Sequence, residues 1–398
     1  MRKTFLMSVF ALLCALLAAG TAGADVFYTT ENGTLGTIVI ESAESIDLRP
    51  TVVQNLGTSL DVSTFGVDGG TRVMVTRRSV DSNDKASIYT PGIWTDSTDC
   101  ILTGTTNIHG TANAGNGRSL YTASWGTASI VEYDNTSSYK ATGRQYTYKP
   151  ANGTAHAEDV LVGSWVYGLF SVQSDDKYLP SRVVWMDGQI SDKVQGFGGA
   201  NAGPNASEMT FLSDGRVAIA YLGNERDDGK GGKGGIDLLS GKTITSLISG
   251  DVSADQYGEI PTLCSDGDKG LYFVSHKVSN DVTTNTLYRW KQDNTFTAIR
   301  SDDHPGSFFS LAWDDSNKLV VLAREDNISI FKEEDKVVKE LRSFPTPAAV
   351  LGGKVTSMTL TAAAGRTDSG SSSNCGILAS GSLALLLLPL ALLRRRGH

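Results

Sequence analysis

The sequence predicts an all-β body folded as a β-propeller, with seven blades of four strands each. The chain of 398 residues carries 43 glycines and ten prolines, and it has no long segment with helical periodicity. Apolar strand patterns recur at intervals of about 50 residues, a period typical of repeat proteins. Each repeat holds four such patterns, which is the number of strands in a propeller blade.

The repeat is most regular at the tight turn after the first strand of each unit. The turns fall at Asp68, Asn116, Ser164, Asp214, Asp266 and Asp315, which are 48, 48, 50, 52 and 49 residues apart. Six units fill residues 57–346, and the seventh is predicted to join a first strand near Gly353 to three strands after Asp25. This joint blade would close the ring and remove its open edges. Six or eight blades remain alternatives, and residues 25–366 are expected to form one domain.

The first 24 residues have the parts of a secretory signal peptide. Arg2 and Lys3 precede an apolar stretch, and small residues end it at Ala24. Signal peptidase is therefore expected to cut between Ala24 and Asp25. This places the body outside the cytoplasm, at the cell surface or in the cell envelope, after export by the secretion machinery.

The C-terminal end has three further parts. Residues 367–376 form a polar spacer rich in Ser and Gly, and residues 377–393 carry no charge. Seventeen helical residues span roughly 25 Å, near the lower limit for a transmembrane helix. Residues 394–398 begin with Arg394, Arg395 and Arg396, a basic cluster that is expected to stay in the cytoplasm and stop transfer. A buried core helix is the alternative.

The end of the chain resembles a known type of sorting signal. The segment SSSNCG, the apolar helix and the terminal arginines occur in the order found in the Synerg-CTERM family of bacterial surface proteins. The resemblance covers only about the last 25 residues. It implies processing by a membrane-bound sorting protease close to Cys375 and Gly376, so that attachment to the membrane is at least transient. An uncut tail anchor is the alternative.

Charge and cysteines exclude several classes of protein. Five of the 35 basic residues lie in the two ends, so the body sets thirty basic residues against 43 acidic ones. Nucleic-acid binding needs basic patches and is not expected. Cys100 and Cys264 are the only cysteines of the body. They fall on blades that are not neighbours, so no disulfide is predicted.

Candidate site residues are found by counting back from each turn to the start of the inner strand, where the channel of a propeller opens. They are Asp61, His109, His156, Glu158, Glu208 and Glu259. Carboxylates and imidazoles that converge on one mouth can bind a metal or a cationic ligand. The alternative is that these side chains only line a wet channel, because a shift of one residue would turn half of them away. No metal or cofactor is assigned.

The motifs favour a binding or structural module over an enzyme. The glycine-rich stretch from Gly223 to Asp237 lacks the Lys-Ser/Thr pair and the helix of a phosphate-binding loop. No nucleophile elbow is present. The sequence therefore predicts a surface-sorted propeller that binds an unknown surface ligand. The alternative is an extracytoplasmic lyase or hydrolase with a His/Glu site at the channel mouth.

Overall fold

A computed structural model describes residues 24–361 except for twelve short gaps. The gaps are residues 68–69, 80–81, 115–117, 135–137, 176, 187–197, 224–232, 251–255, 280–281, 304–308, 335–336 and 346–350. The described part forms seven antiparallel sheets of four strands each, and no helix of three turns or more lies in it. The predicted all-β propeller with seven four-stranded blades is confirmed.

The first four blades follow the chain from its N-terminal side. Blade 1 consists of β28 (Val355–Leu360), β1 (Ala24–Thr30), β2 (Leu35–Ile40) and β3 (Ile46–Val53). Blade 2 consists of β4 (Leu60–Val67), β5 (Gly70–Arg77), β6 (Asp84–Thr90) and β7 (Ile93–Leu102). Blade 3 consists of β8 (Ile108–Asn113), β9 (Ser119–Ser124), β10 (Ser129–Asp134) and β11 (Lys140–Thr147). Blade 4 consists of β12 (Thr154–Val162), β13 (Val166–Gln173), β14 (Tyr178–Met186) and β15 (Gly198–Pro204).

The remaining three blades complete the ring. Blade 5 consists of β16 (Ala206–Phe211), β17 (Val217–Tyr221), β18 (Gly235–Ser240) and β19 (Thr243–Ile248). Blade 6 consists of β20 (Glu259–Ser265), β21 (Leu271–Ser279), β22 (Val282–Trp290) and β23 (Phe296–Asp302). Blade 7 consists of β24 (Phe309–Asp314), β25 (Leu319–Arg324), β26 (Asn327–Glu334) and β27 (Val337–Pro345). In every blade the strand named first is the inner strand, which faces the central channel.

The two ends of the described chain build blade 1 together, as predicted. Inner strand β28 pairs with β1 in antiparallel register, with Val26 opposite Leu360 and Tyr28 opposite Met358. Beyond this pairing, the amide of Thr361 donates a 2.8 Å hydrogen bond to the carbonyl of Asp25. The ring is therefore closed by main-chain hydrogen bonds between residues more than three hundred positions apart.

The core lies between the blades. The described residues contain seven clusters of buried apolar side chains, and each cluster joins two neighbouring sheets. Between blades 3 and 4, for example, Tyr121 and Ile130 pack against Phe170 and Val184. Each blade thus buries both of its faces against its neighbours, which explains why a single blade is not a stable unit.

The four predicted turns that the structure describes, and both thiols of the body, are placed as predicted. Ser164, Asp214, Asp266 and Asp315 lie between the inner and second strands of blades 4–7. Asp68 and Asn116 lie outside the described residues. Cys100 on β7 and Cys264 on β20 are both free thiols, in agreement with the expectation that no disulfide joins blades 2 and 6.

Most of the predicted targeting segments lie outside the described residues. These are residues 1–23 of the signal peptide and residues 367–398 of the tail, which include Cys375, Gly376, Arg394, Arg395 and Arg396. The end of the predicted body, residues 362–366, also lies outside the described part. Ala24 and Asp25 are described and form the start of β1, with Ala24 buried opposite Ile40. In the described part of the chain, no helix has the length and apolar character needed to span a membrane.

Candidate functional site

A polar cavity opens at one end of the central channel, and we call it the channel mouth. It has a volume of about 190 Å³ and takes residues from all seven inner strands. The polar lining residues are Asp61, Ser63, Arg78, His109, Thr111, Glu158, Asp159, Ser207, Glu208, Ser310, Thr356 and Ser357. Four of the six residues predicted from the sequence, namely Asp61, His109, Glu158 and Glu208, are therefore brought together in one cavity.

Five of the inner strands shift register against the second strand at the channel mouth; in β20 the shift lies between Glu259 and Thr262. In β8, Ile108 and Gly110 pair with the consecutive residues Ser124 and Ala123, which leaves His109 as the extra residue. Strands β12, β16 and β28 each have an extra residue in the same way, and these are Glu158, Ser207 and Thr356. All four bulged residues line the cavity. A bulge re-aims a side chain out of the strand alternation, and bulges are common next to functional sites.

His109 and Glu158 form a hydrogen-bonded pair across the junction of blades 3 and 4. The distance from Nδ1 of His109 to Oε2 of Glu158 is 2.8 Å. The hydroxyl of Ser171, on β13, donates a 2.5 Å hydrogen bond to Oε1 of the same carboxylate. The side chains of His109 and Glu158 are 28% and 12% exposed, so the pair is reachable from the cavity and yet fixed by the strands behind it.

Aromatic stacking fixes the plane of the His109 ring. The indole of Trp125, in the turn after β9, is stacked with the imidazole at a centroid distance of 5.8 Å. Trp125 is also stacked with His156, at 3.7 Å and with an interplanar angle of 12°. His156 is not among the residues that line the mouth. Its place in the structure is therefore beside the indole, where it supports the wall of the cavity.

Asp61 connects blades 1 and 2 at the mouth. Its Oδ2 lies 3.1 Å from Nη2 of Arg78. Its Oδ1 accepts hydrogen bonds from the amide of Val62, at 2.9 Å, and from the hydroxyl of Ser357. Since Ser357 belongs to β28 and Asp61 to β4, this contact crosses the junction next to the blade that closes the ring.

Two more carboxylates bridge neighbouring inner strands. Oδ2 of Asp159 accepts a 2.8 Å hydrogen bond from the amide of Met209, so β12 is tied to β16. Oε2 of Glu208 accepts hydrogen bonds from the hydroxyl of Thr262, at 2.6 Å, and from the amide of Leu263, at 3.1 Å. Inner strands have one edge without a strand partner, and these carboxylates satisfy amides on that edge. The acidic residues of the mouth thus also hold the blades together.

Glu259 lies apart from the other predicted residues. It begins β20 and is paired with His276 of β21. Neither residue lines the mouth. His276 has its own partner, because its Nδ1 lies 2.7 Å from Oδ1 of Asn285.

Several residues that line the mouth or contact its lining were not predicted from the sequence. Arg78 follows β5, outside the repeat positions that mark the inner strands. Trp125 and Ser171 act from second strands or their turns, on His109 and Glu158. A signal was present for Ser207 and Thr356, since both occupy the same place in their repeats as His109 and Glu158, but neither residue type suggests a site by itself.

The carboxyl groups with raised pKa lie away from the mouth. Burial raises the pKa of Asp84 and that of Asp237. Asp84 accepts a 2.9 Å hydrogen bond from the amide of Ile108, the first residue of β8. Asp237 accepts a 2.8 Å hydrogen bond from the amide of Gly203 in β15. Both carboxyls join neighbouring blades outside the channel, so their role is structural.

The described residues offer no ready metal centre. No group of three or more His, Cys, Asp or Glu side chains in them has an arrangement that could hold a metal ion. The donors of the mouth instead form pairs with one another or with main-chain amides.

Comparisons with known proteins are informative for the fold alone. No protein-family model matches the chain, and no curated protein matches it. Among solved structures, it is similar to a protein from Lactobacillus plantarum at 12% identity and a TM-score of 0.59, over 85% of this chain and 99% of that one. It is also similar to a functionally unknown protein from Desulfotomaculum acetoxidans, at 13% identity and 0.55 over 85% and 99% of the two chains.

A third similar structure is a hypothetical selenium-binding protein from Sulfolobus tokodaii. It has 11% identity and a TM-score of 0.56, over 90% of this chain and 96% of that one. Identities this low show a shared fold and do not transfer a ligand or a reaction. The chain is thus a seven-bladed β-propeller whose site must be interpreted from its own residues.

Proposed function

We propose that this protein is a secreted propeller that is sorted to the cell surface and binds a small ligand at the channel mouth. The observation that carries the binding role is the convergence of four bulged residues, His109, Glu158, Ser207 and Thr356, on one cavity. If the side chains of the inner strands only packed the channel, regular strands without bulges would be sufficient. These four bulges instead add polar side chains to the cavity wall, whereas the shift in β20 brings Pro261 to it.

The position of the chain ends supports display of this cavity. Thr356 and Met358, near the start of β28, line the mouth. Thr361 follows the other end of that strand and is hydrogen-bonded to Asp25. Asp25 and Thr361 therefore lie at the end of the ring that is away from the mouth. A membrane tail attached at this end would not have to pass the mouth to reach the membrane.

A ligand screen tests the binding role. The body, residues 25–366, would be screened against cell-wall glycans, peptides and divalent metals, together with two tryptophan variants. Ser207→Trp fills the mouth, whereas Thr243→Trp places the same side chain on the exposed outer strand β19. We expect ligands that bind the parent and Thr243→Trp but not Ser207→Trp. Equal binding to all three proteins would reject the mouth as the site.

Intact-mass measurement tests the sorting role. The mature protein from its native cell surface is expected to begin at Asp25 and to end near Cys375, as the resemblance of the tail implies. Cys375→Ala should then accumulate as the full-length form in the membrane. A wild-type chain that still carries residues 383–398 would show a permanent tail anchor instead of processing.

The His109–Glu158 pair supports an enzyme as the second candidate. An imidazole whose Nδ1 is held by a carboxylate can accept a proton through its other nitrogen, as in many hydrolases and lyases. Turnover of ester, glycoside or uronate substrates by the parent, lost in His109→Gln and kept in His276→Gln, would favour this candidate. Binding without turnover would favour the module.

A further inference from the structure

We infer that the channel mouth binds the primary ammonium group of a small organic cation. The inference rests on the proposed function, since it names the ligand class of the same cavity. It follows from the net charge of the cavity wall, from three buried hydroxyl groups that are available to a ligand, and from the hydrogen bonds that the carboxylates of the wall already accept.

The wall of the cavity is strongly acidic. It sets one guanidinium, that of Arg78, against four carboxylates, those of Asp61, Glu158, Asp159 and Glu208. Amides and hydroxyls donate hydrogen bonds to these carboxylates but do not cancel their charge. With ionised carboxylates the wall therefore has a net charge of −3, or of −2 when His109 is protonated. A cleft whose charges are mostly of one sign attracts ions of the opposite sign.

Three buried hydroxyls of the wall are available to a ligand. Ser63, Thr111 and Ser310 line the cavity and are only 8%, 4% and 7% exposed. In the described part of the chain, none of these three hydroxyls has a hydrogen-bond partner. Buried polar side chains nearly always have one, in the protein, in water or in a ligand. A ligand with N–H groups can supply it, because a hydroxyl oxygen accepts hydrogen bonds.

The existing hydrogen bonds favour an ammonium over a guanidinium group. Both oxygens of Glu158 already have a donor, which is Nδ1 of His109 for one and the hydroxyl of Ser171 for the other. Both oxygens of Asp159 accept from main-chain amides. A guanidinium binds best to a carboxylate through two parallel hydrogen bonds, one to each oxygen. An ammonium can instead use the second lone pair of a single oxygen.

The composition of the wall favours a primary over a quaternary ammonium group. Quaternary ammonium ions are recognised by cages of aromatic rings. Besides His109, the described residues that line the cavity include one aromatic side chain, that of Phe309. The available hydroxyls and the carboxylates come from several blades. The three N–H groups of a primary ammonium point in different directions and can reach acceptors on more than one blade.

A series of compounds with five carbons tests the sign of the charge by calorimetry on the body. The probes are 5-aminopentan-1-ol, 1,5-pentanediol and 5-hydroxypentanoate, in which one end is an ammonium, a hydroxyl or a carboxylate. We expect the amino alcohol to bind at millimolar concentration and to bind more tightly than the other two compounds. This result would support a cationic ligand, because the rest of the molecule is nearly the same in all three.

Derivatives of the amino alcohol test the kind of cation. Its N,N,N-trimethyl and guanidino derivatives keep the charge but change the hydrogen-bond donors, and we expect both to bind more weakly. Nα-acetyl-lysinamide carries the same ammonium group on a peptide unit. Tighter binding of this compound than of the amino alcohol would identify a lysine side chain as the source of the ammonium group, and weaker binding would identify a free amine.

Matched substitutions test the wall. Glu208→Gln removes one negative charge and keeps a carbonyl oxygen for Thr262 and Leu263. We expect it to weaken binding of the amino alcohol about threefold to tenfold, the effect of one charge several ångströms away. Thr111→Val removes an available hydroxyl and should weaken binding by a similar factor. Glu44→Gln, at a side chain that is 82% exposed and outside the mouth, should leave the affinity unchanged.

The outcomes separate this inference from the proposed function. Tighter binding of the diol or the hydroxy acid, abolished by Ser207→Trp, would overturn the cationic class and leave the mouth as the binding site. Tighter binding of the trimethyl or guanidino derivative, or displacement of the amino alcohol by calcium chloride but not by sodium chloride of equal ionic strength, would overturn the primary ammonium group.

Two further results would count against the inference. An amino alcohol that does not bind at millimolar concentration, or that binds equally to the parent and to Glu208→Gln, would overturn it. An amino alcohol that still binds to Ser207→Trp would overturn the site itself, and with it the proposed function.

Discussion

The inner hairpins of blade 4 and blade 7 contribute to the same cavity in different ways. In blade 7 every residue of β24, from Phe309 to Asp314, has its own partner on β25. In blade 4, β12 has the extra residue Glu158 between Ala157 and Asp159. The regular hairpin presents Phe309 and Ser310 at its first positions, whereas the bulged hairpin inserts a carboxylate part-way along the strand.

This difference shows how a repeat gains a functional side chain without losing its core. Ala157 and Val160 belong to the same core cluster between blades 3 and 4, although they are three positions apart. An odd interval places two residues on opposite faces of a regular strand. The bulge restores the apolar face after Glu158 has left the alternation. In blade 7, Leu311 and Trp313 share a cluster at the ordinary interval of two.

A pair of single-residue deletions should give the largest contrast. Deletion of Leu311 from regular β24 turns the preceding residues to the wrong face, and we expect it to cost more than about 4 kcal/mol or to prevent folding. Deletion of Glu158 removes the unpaired residue and leaves a regular β12. The expected cost is below about 3 kcal/mol, from the hydrogen bonds of His109 and Ser171. Urea unfolding of both variants measures the difference.

Similar losses of stability in the two deletion variants would show that the bulge is not an insertion into an otherwise regular hairpin. The Glu158 deletion should also lose ligand binding while it remains folded, because His109 then has no carboxylate to orient it. Circular dichroism confirms the fold in the same samples.

Removal of a bridging carboxylate should have a smaller effect. Glu208→Ala leaves the amide of Leu263 and the hydroxyl of Thr262 without their acceptor. We expect a loss of about 1–3 kcal/mol in the free energy of unfolding. Ser310→Ala in the regular blade 7 is the matched control at the mouth, with an expected change within about 0.5 kcal/mol. Equal effects of the two substitutions would argue against the role of Glu208 as a link between blades 5 and 6.

The fold was more predictable from the sequence than the site was. Turn positions such as Asp214 and Asp266 mark each repeat, and the apolar pattern shows four strands between them, so blade number and ring closure follow. Bulges, however, depend on pairing with a second strand. In a regular strand His156 and Glu158, two positions apart, would lie on the same face. The sequence pattern therefore could not show that only Glu158 lines the channel. Arg78 and Trp125 act on the mouth through Asp61 and His109 of their own blades. Both follow second strands, which the repeat positions of the inner strands do not mark.

A pH-dependent effect on stability is expected away from the mouth. Burial raises the pKa of Asp237 above its ordinary value of 3.8. The folded state then holds a proton on this carboxyl to higher pH than the unfolded chain does, so stability falls as the pH rises from about 3.8 through the raised pKa. Asp237→Asn cannot ionise and avoids this loss.

The difference in unfolding free energy, Asp237→Asn minus parent, should therefore be larger at pH 7 than at about pH 3.5. Urea unfolding at the two pH values measures it. A difference that is larger at the lower pH would mean that the hydrogen bond from Gly203 outweighs the burial of the carboxylate and that the pKa is lowered.

The most direct test of the channel mouth as a ligand site is nitrogen NMR of the histidine rings. The body contains four histidines, His109, His156, His276 and His304, so the spectrum of a ¹⁵N-histidine sample is simple to assign by substitution. We expect that Nδ1 of His109 carries a proton, which it donates to Glu158, and that a ligand bound at the mouth shifts the Nε2 resonance of His109 and leaves that of His276 unchanged. A ligand that shifts His276 but not His109, or a His109 ring protonated on Nε2 alone, would contradict it.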